Sequence, residues 1–174
     1  EQSRVVDLAV VSQSPEIPHD SASDVPEEVT FESGRPVLVV PNSALDSPST
    51  DRVVVAWNGQ KESARAVFDA LPFLKKATEV RILTIMPEKE EDTIDVPGAE
   101  IASALARHGV KAETAERLTT GVSTGKVLLN YVADHNCNLL VMGCYGHSRI
   151  HELVFGGVTK HVLANMTIPV LLSH

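Results

Sequence analysis

An unbroken apolar run, Leu139 to Met142, stops at Gly143. Gly146 follows, then the pair Gly156-Gly157, a segment with Val158, Val162 and Leu163 on one side, and a second apolar run, Ile168 to Leu172. A short run without polar alternation suits a strand buried on both faces, and such strands belong to parallel sheets covered by helices. The order is therefore strand, glycine-rich loop, helix, strand. Glycine lets the backbone take conformations barred to residues with a Cβ and lets a ligand approach bare amides. The pair Gly156-Gly157 opens a helix, whose first N–H groups are unpaired and whose dipole favours an anion. Together these features describe a cradle for phosphate. The other reading of the same glycines is that they serve only tight turns and close packing of a helix on a sheet.

The chain upstream repeats the alternation. Arg52 to Trp57 reads as a strand, and Lys61 to Lys76 as a helix with Ala64, Val67, Phe68, Leu71 and Leu74 on one side. Glu79 to Ile85 is a second strand, Ala99 to His108 a helix, Lys111 to Leu118 a more polar strand suited to a sheet edge, and Ser123 to His135 a third helix. Gly121 ends the strand before that helix, with Ser123 or Thr124 as its cap. Parallel strands need crossovers, so strands alternating with helices make an α/β, doubly wound parallel sheet.

The spacing Gly143-x-x-Gly146, nine residues, then Gly156-Gly157-Val158-Thr159 resembles the nucleotide-loop signature of the universal stress protein family. The resemblance runs over residues 52–174 and implies five strands in the order 3-2-1-4-5, with a ligand at the carboxyl ends of strands one and four, where the order reverses. It implies that Ala56, Trp57 and Asn58 contact base and ribose and that Ile85 lines the adenine side. Met142, Gly143 and Gly146 then form the wall from base to phosphate, and Gly156, Gly157, Val158 and Thr159 supply phosphate amides. His147 and Arg149 are side-chain candidates for phosphate or solvated loop residues. Two positions depart from the ATP-binding pattern: Asn58 stands for an aspartate, and Gly157 for a residue with a hydroxyl.

Residues 1–41 carry their own strand, helix and strand: Val5 to Val11, Asp24 to Glu32 and Val37 to Val40. Asp7-Leu8-Ala9-Val10-Val11 resembles Asn138-Leu139-Leu140-Val141-Met142, and Gly34-Arg35-Pro36-Val37-Leu38 resembles Thr167-Ile168-Pro169-Val170-Leu171. Residues 1–41 are thus expected to be the closing third of a degenerate repeat, 42–51 a linker and 52–174 a complete domain, as in tandem members of the family; the alternative is an N-terminal extension that happens to contain two strands. Family members pair through their last strand. Ile168 to Leu172 is accordingly expected at a sheet edge, forming a homodimer or a pseudo-dimer, with the strands of 1–41 packed beside it or on another chain.

Charge and cysteine usage narrow the partners. The net charge is −8, and residues 1–50 hold nine acidic against two basic side chains, so no basic face for nucleic acid is expected. No run reaches the roughly twenty apolar residues that cross a bilayer. Cys137 and Cys144 make no Cys-x-x-Cys pair and fit a reducing cytoplasm; Cys144, inside the glycine loop, is expected to meet solvent. His147 and His151 are four apart but lack the glutamate of a zinc helix. Gly121 to Val127 is one residue short of a P-loop and has valine where the Mg²⁺-binding hydroxyl belongs. The functional expectation is a cytoplasmic protein that binds an adenine nucleotide, ATP first, with Mg²⁺ as its companion, and acts by binding in a stress response. A nucleotide-free interaction protein and a slow ATPase remain as alternatives.

Overall fold

A computed structural model describes residues 2–14, 25–43, 49–87, 98–144 and 157–174. Their strands are β1 (Ala9–Ser12), β2 (Val37–Val40), β3 (Arg52–Trp57), β4 (Glu79–Pro87), β5 (Ala112–Thr119), β6 (Leu139–Gly143) and β7 (Val170–Ser173). Their α-helices are α1 (Val25–Ser33), α2 (Lys61–Asp69), α3 (Leu71–Leu74), α4 (Ala99–Arg107), α5 (Thr124–Asp134) and α6 (Gly157–Asn165). The strands form one sheet in the order β1-β2-β7-β6-β3-β4-β5, parallel except where β2 meets β7. Counted from β3, the last five strands run 3-2-1-4-5.

Residue alternation sorts the core into two layers. Val54, Leu83, Leu140, Met142, Val170 and Leu172 point to the face covered by α5 and α6, where Leu128, Val132 and Val162 meet them. Val53, Val55, Ile82, Val141 and Leu171 point to the face covered by α2, α3 and α4, against Val67, Leu74 and Leu105. The central strands β6 and β7 are buried along their length, and the polar strand β5 lies at the edge, as its sequence requires. Ser123 caps α5, its hydroxyl accepting from the Lys126 amide at 3.4 Å.

Three local expectations are corrected. The segment expected as a strand from Val5 begins its ladder only at Ala9; Gln2–Val5 coil into a 3-10 turn, and Val5 and Val6 are exposed because β2 starts opposite Ala9. The helix expected from Lys61 to Lys76 is two, divided at Ala70. Pro72 has no N–H and its ring would strike the carbonyl one turn back, but it is tolerated in the first turn of the second helix. The last strand is not a free edge of the sheet: β7 pairs with β6 and, on its other side, with β2, as expected for the strands of residues 1–41.

The β2–β7 pairing has a definite symmetry. Val37 faces Leu172 and Val39 faces Val170, with Leu38 opposite Leu171 between them. Outside β2 lies β1, with Ala9 against Val37; outside β7 lies β6, with Leu140 against Val170. Exchanging one strand pair for the other leaves these contacts unchanged. The flanking hydrogen bonds match too: Ala9 N–H to Pro36 O and Leu140 N–H to Pro169 O are both 3.0 Å, and Gln13 N–H to Val40 O (2.8 Å) corresponds to Cys144 N–H to Ser173 O (3.0 Å).

Candidate functional site at the ends of the central strands

β3 and β6 are adjacent, and the crossovers leave them in opposite directions, β4 lying beyond one and β7 beyond the other. A crevice at their carboxyl ends is where such sheets take ligands. Ala56 and Met142 are register partners there, and Ile85 lies two residues past Leu83, the β4 partner of Ala56. All three face the α5–α6 layer; Met142 is buried, while Ala56 and Ile85 are half-buried and pack on its cluster. Together they offer an apolar wall.

Trp57 does not join that wall. It follows Ala56 in an extended strand, so its side chain turns to the opposite face and packs with the α2–α4 cluster. Only its backbone is available to the crevice. Asn58 is exposed, and its Oδ1 already accepts the Gln60 amide at 3.1 Å, closing a turn ahead of α2.

Gly143 has a packing reason of its own. A Cβ there would lie 2.4 Å from the Glu62 carbonyl carbon and 2.5 Å from the Ser63 nitrogen, so the first turn of α2 rests directly on the end of β6. At the start of α6, Gly157 is exposed, with no atom of the described residues within 4 Å of where a Cβ would sit; Val158 is exposed and Thr159 buried. The N–H groups of that first turn have no partner within the helix. Gly146, His147, Arg149, His151 and Gly156 lie outside the described residues.

Two residues escape a reading of the sequence. Glu62 is 4% exposed, and neither carboxylate oxygen receives a hydrogen bond among the described residues; Lys61 Nζ stands 3.5 Å away as an ion-pair contact only. The signal was its position one turn before Ala66 on the buried stripe of α2. Gln13, which bonds to α6, carries no such signal in the sequence.

Both cysteines are buried. Cys144 is 1% exposed, contrary to expectation, because the chain leaving β6 stays paired with β7: its N–H and Sγ both approach Ser173 O, and His174 Nδ1 lies 3.1 Å from its carbonyl. Burial pushes the Cys137 thiol up, opposed by the charge of Arg81. Iodoacetamide at neutral pH is therefore expected to label both cysteines in denaturant and neither in the native protein within the same time. Fast labelling of native Cys144 would show that the end of β6 opens. Near Cys137, Arg81 is held protonated by Tyr131 and Glu79, and among the described residues no group of three His, Cys, Asp or Glu could hold a metal ion.

The model of the universal stress protein family matches residues 49–174. Universal stress protein Slr1230 of Synechocystis is 28% identical over 138 residues, 79% of this chain but 46% of that protein, so the match spans about half the length of this relative. A universal stress protein structure from Archaeoglobus fulgidus has a TM-score of 0.73 at 20% identity, covering 99% of this chain and 62% of its own. A universal stress protein solved in complex with cAMP has a TM-score of 0.56 at 21% identity, covering 71% of this chain and 97% of its own. At these identities the two structures show a shared fold. No described helix is long and apolar enough to cross a membrane.

Proposed function

Because the chain belongs to the universal stress protein family, we propose that it binds an adenine nucleotide, ATP first, at the carboxyl ends of β3 and β6 and acts by binding in a stress response. The observation that carries this reading is the placement of Ala56, Ile85 and Met142 on one face of the sheet, in the layer that α6 covers, with Gly157 and Val158 at its start exposed. An apolar wall suits the flat face of a base, and unpaired N–H groups at a helix start suit phosphate. The backbone amides of Gly157, Val158 and Thr159 are the described donors; by the family resemblance Gly146, His147, Arg149 and Gly156 belong to the same site. The solved complex with cAMP is a family precedent for an adenine ligand. Mg²⁺ would arrive on the nucleotide's own phosphates, since Asn58 brings no charge and its oxygen is engaged with Gln60.

The same reading extends to the chain's organisation. Residues 1–41 are the end of a repeat, 42–51 a linker and 52–174 a complete domain. The symmetric β2–β7 pairing supports this division, as does the contrast between a longer relative matched over 99% of the chain and a shorter one matched over 71%. Residues 1–41 then act as a built-in partner at the last strand, a pseudo-dimer in one chain. Two cysteines in no Cys-x-x-Cys arrangement suit a reducing cytoplasm. The test is a calorimetric titration with ATP, with and without Mg²⁺, and in parallel with cAMP, carried to millimolar ligand. Saturation near one site per chain is expected. No heat, together with no displacement of a fluorescent adenine analogue, would overturn the proposal and favour the interaction protein that Asn58 and Gly157 also suggest.

A further inference from the structure

Gln13 lies just past the end of β1 and reaches across the β2–β7 junction to the last turn of α6. Its Nε2 donates to the carbonyl of Leu163 at 2.6 Å and to that of Ala164 at 3.4 Å, while its Oε1 accepts the Asn42 backbone N–H at 3.1 Å. The last carbonyls of a helix have no donor within it, and α6 has no basic residue in its last turn to serve them. Nearer the middle, His161 rests on α5, where a Cβ at Gly125 would come within 2.9 Å of His161 Cδ2. So α6 is held by α5, by Val162 and Leu163 in the core and, at its last carbonyls, by Gln13, while its amino end, Gly157 and Val158, is exposed.

We propose that Gln13 is a positioning residue for α6, through which the segment before the linker sets the affinity of the nucleotide site. The inference rests on the nucleotide reading above. A helix of this size is a rod of roughly 14 Å, too short to absorb a displacement at one end by bending. A shift at Leu163 therefore reaches the first-turn amides, whose bonds to a phosphate weaken steeply with angle and distance.

The two halves of the Gln13 amide can be removed separately. Gln13→Glu keeps an acceptor for Asn42, removes the donor to α6 and adds a negative charge at the negative end of the helix dipole. Gln13→Lys keeps a donor for the carbonyls of α6 and removes the acceptor. Calorimetry with ATP on the full chain is expected to show affinity weakened about threefold to tenfold in Gln13→Glu and held within about twofold of wild type in Gln13→Lys. Amide hydrogen exchange at Leu163, Ala164 and Asn165 is expected to quicken in the first variant only. If wild type binds and Gln13→Glu binds as tightly, the positioning inference falls and the nucleotide site stands. Equal weakening in both variants would show that the donor to α6 does not by itself carry the effect, and would likewise overturn it. If wild type does not bind ATP, the nucleotide reading itself falls, and this inference with it.

Discussion

Replacing Gly143 with alanine is expected to destabilise the protein by about 3 kcal/mol, a drop of roughly 6 to 12 °C in melting temperature for a chain of this size. The added methyl has no room: its nearest neighbours are the Glu62 carbonyl carbon at 2.4 Å and the Ser63 nitrogen at 2.5 Å, both backbone atoms of the first turn of α2. A crowded side chain can rotate away, but a helix backbone can only move as a unit. That would lift α2 from β6 and β7, where Ala66 and Val67 are fully buried. A contrary term exists, since alanine restricts the unfolded chain and gains ~0.4–1 kcal/mol where its conformation is allowed. It is too small to cancel the overlap. Thermal unfolding followed by circular dichroism decides the matter. A melting temperature within about 2 °C of wild type would mean that α2 does not rest on β6 in this way.

This effect shows where the sequence is legible and where it is silent. The run Leu139 to Met142 announces a doubly buried strand because nothing polar interrupts it, and a strand of that kind has few places in a sheet. Pro72 likewise announces a break, yet the periodicity of Ala64, Val67 and Leu71 hides it, since the apolar stripe runs on through both helices. The reason for glycine at position 143 cannot be read locally. A loop that admits phosphate and a strand end that admits a helix both ask for an absent Cβ, and only the position of α2 separates them. Gln13 is silent for a similar reason. Its partners are 150 and 151 residues away in the chain, and a glutamine beside a strand has many ordinary uses. The pairing of β2 with β7 was half visible: the short matches around Pro36 and Pro169 suggested equivalent strands. Their antiparallel register about Leu38 and Leu171 needed coordinates. Trp57 marks a further boundary, since family resemblance places a residue near a site without saying which way an extended strand turns it.

The second large effect concerns affinity. Gly157→Ser is expected to tighten ATP binding tenfold or more, since a hydrogen bond to a charged group is worth about 1.5–3 kcal/mol. Position 157 is where the chain departs from the hydroxyl of the family's ATP-binding pattern, and the fold accepts the change. Gly157 is exposed, its φ lies outside the left-handed region, and no atom of the described residues stands within 4 Å of the added Cβ. Serine is also the better residue in the first turn of a helix, which alone could stiffen α6 and improve binding slightly. Gly157→Ala separates the two causes, because it supplies the stiffening without the hydroxyl. Serine tighter than both alanine and wild type would place a phosphate at the start of α6, with the hydroxyl as its donor. Equal gains from serine and alanine would credit backbone order instead. If neither substitution changes the affinity, the phosphates do not reach α6. Gly143 would then keep only its packing role against α2, and the β2–β7 junction would become the first place to look for function.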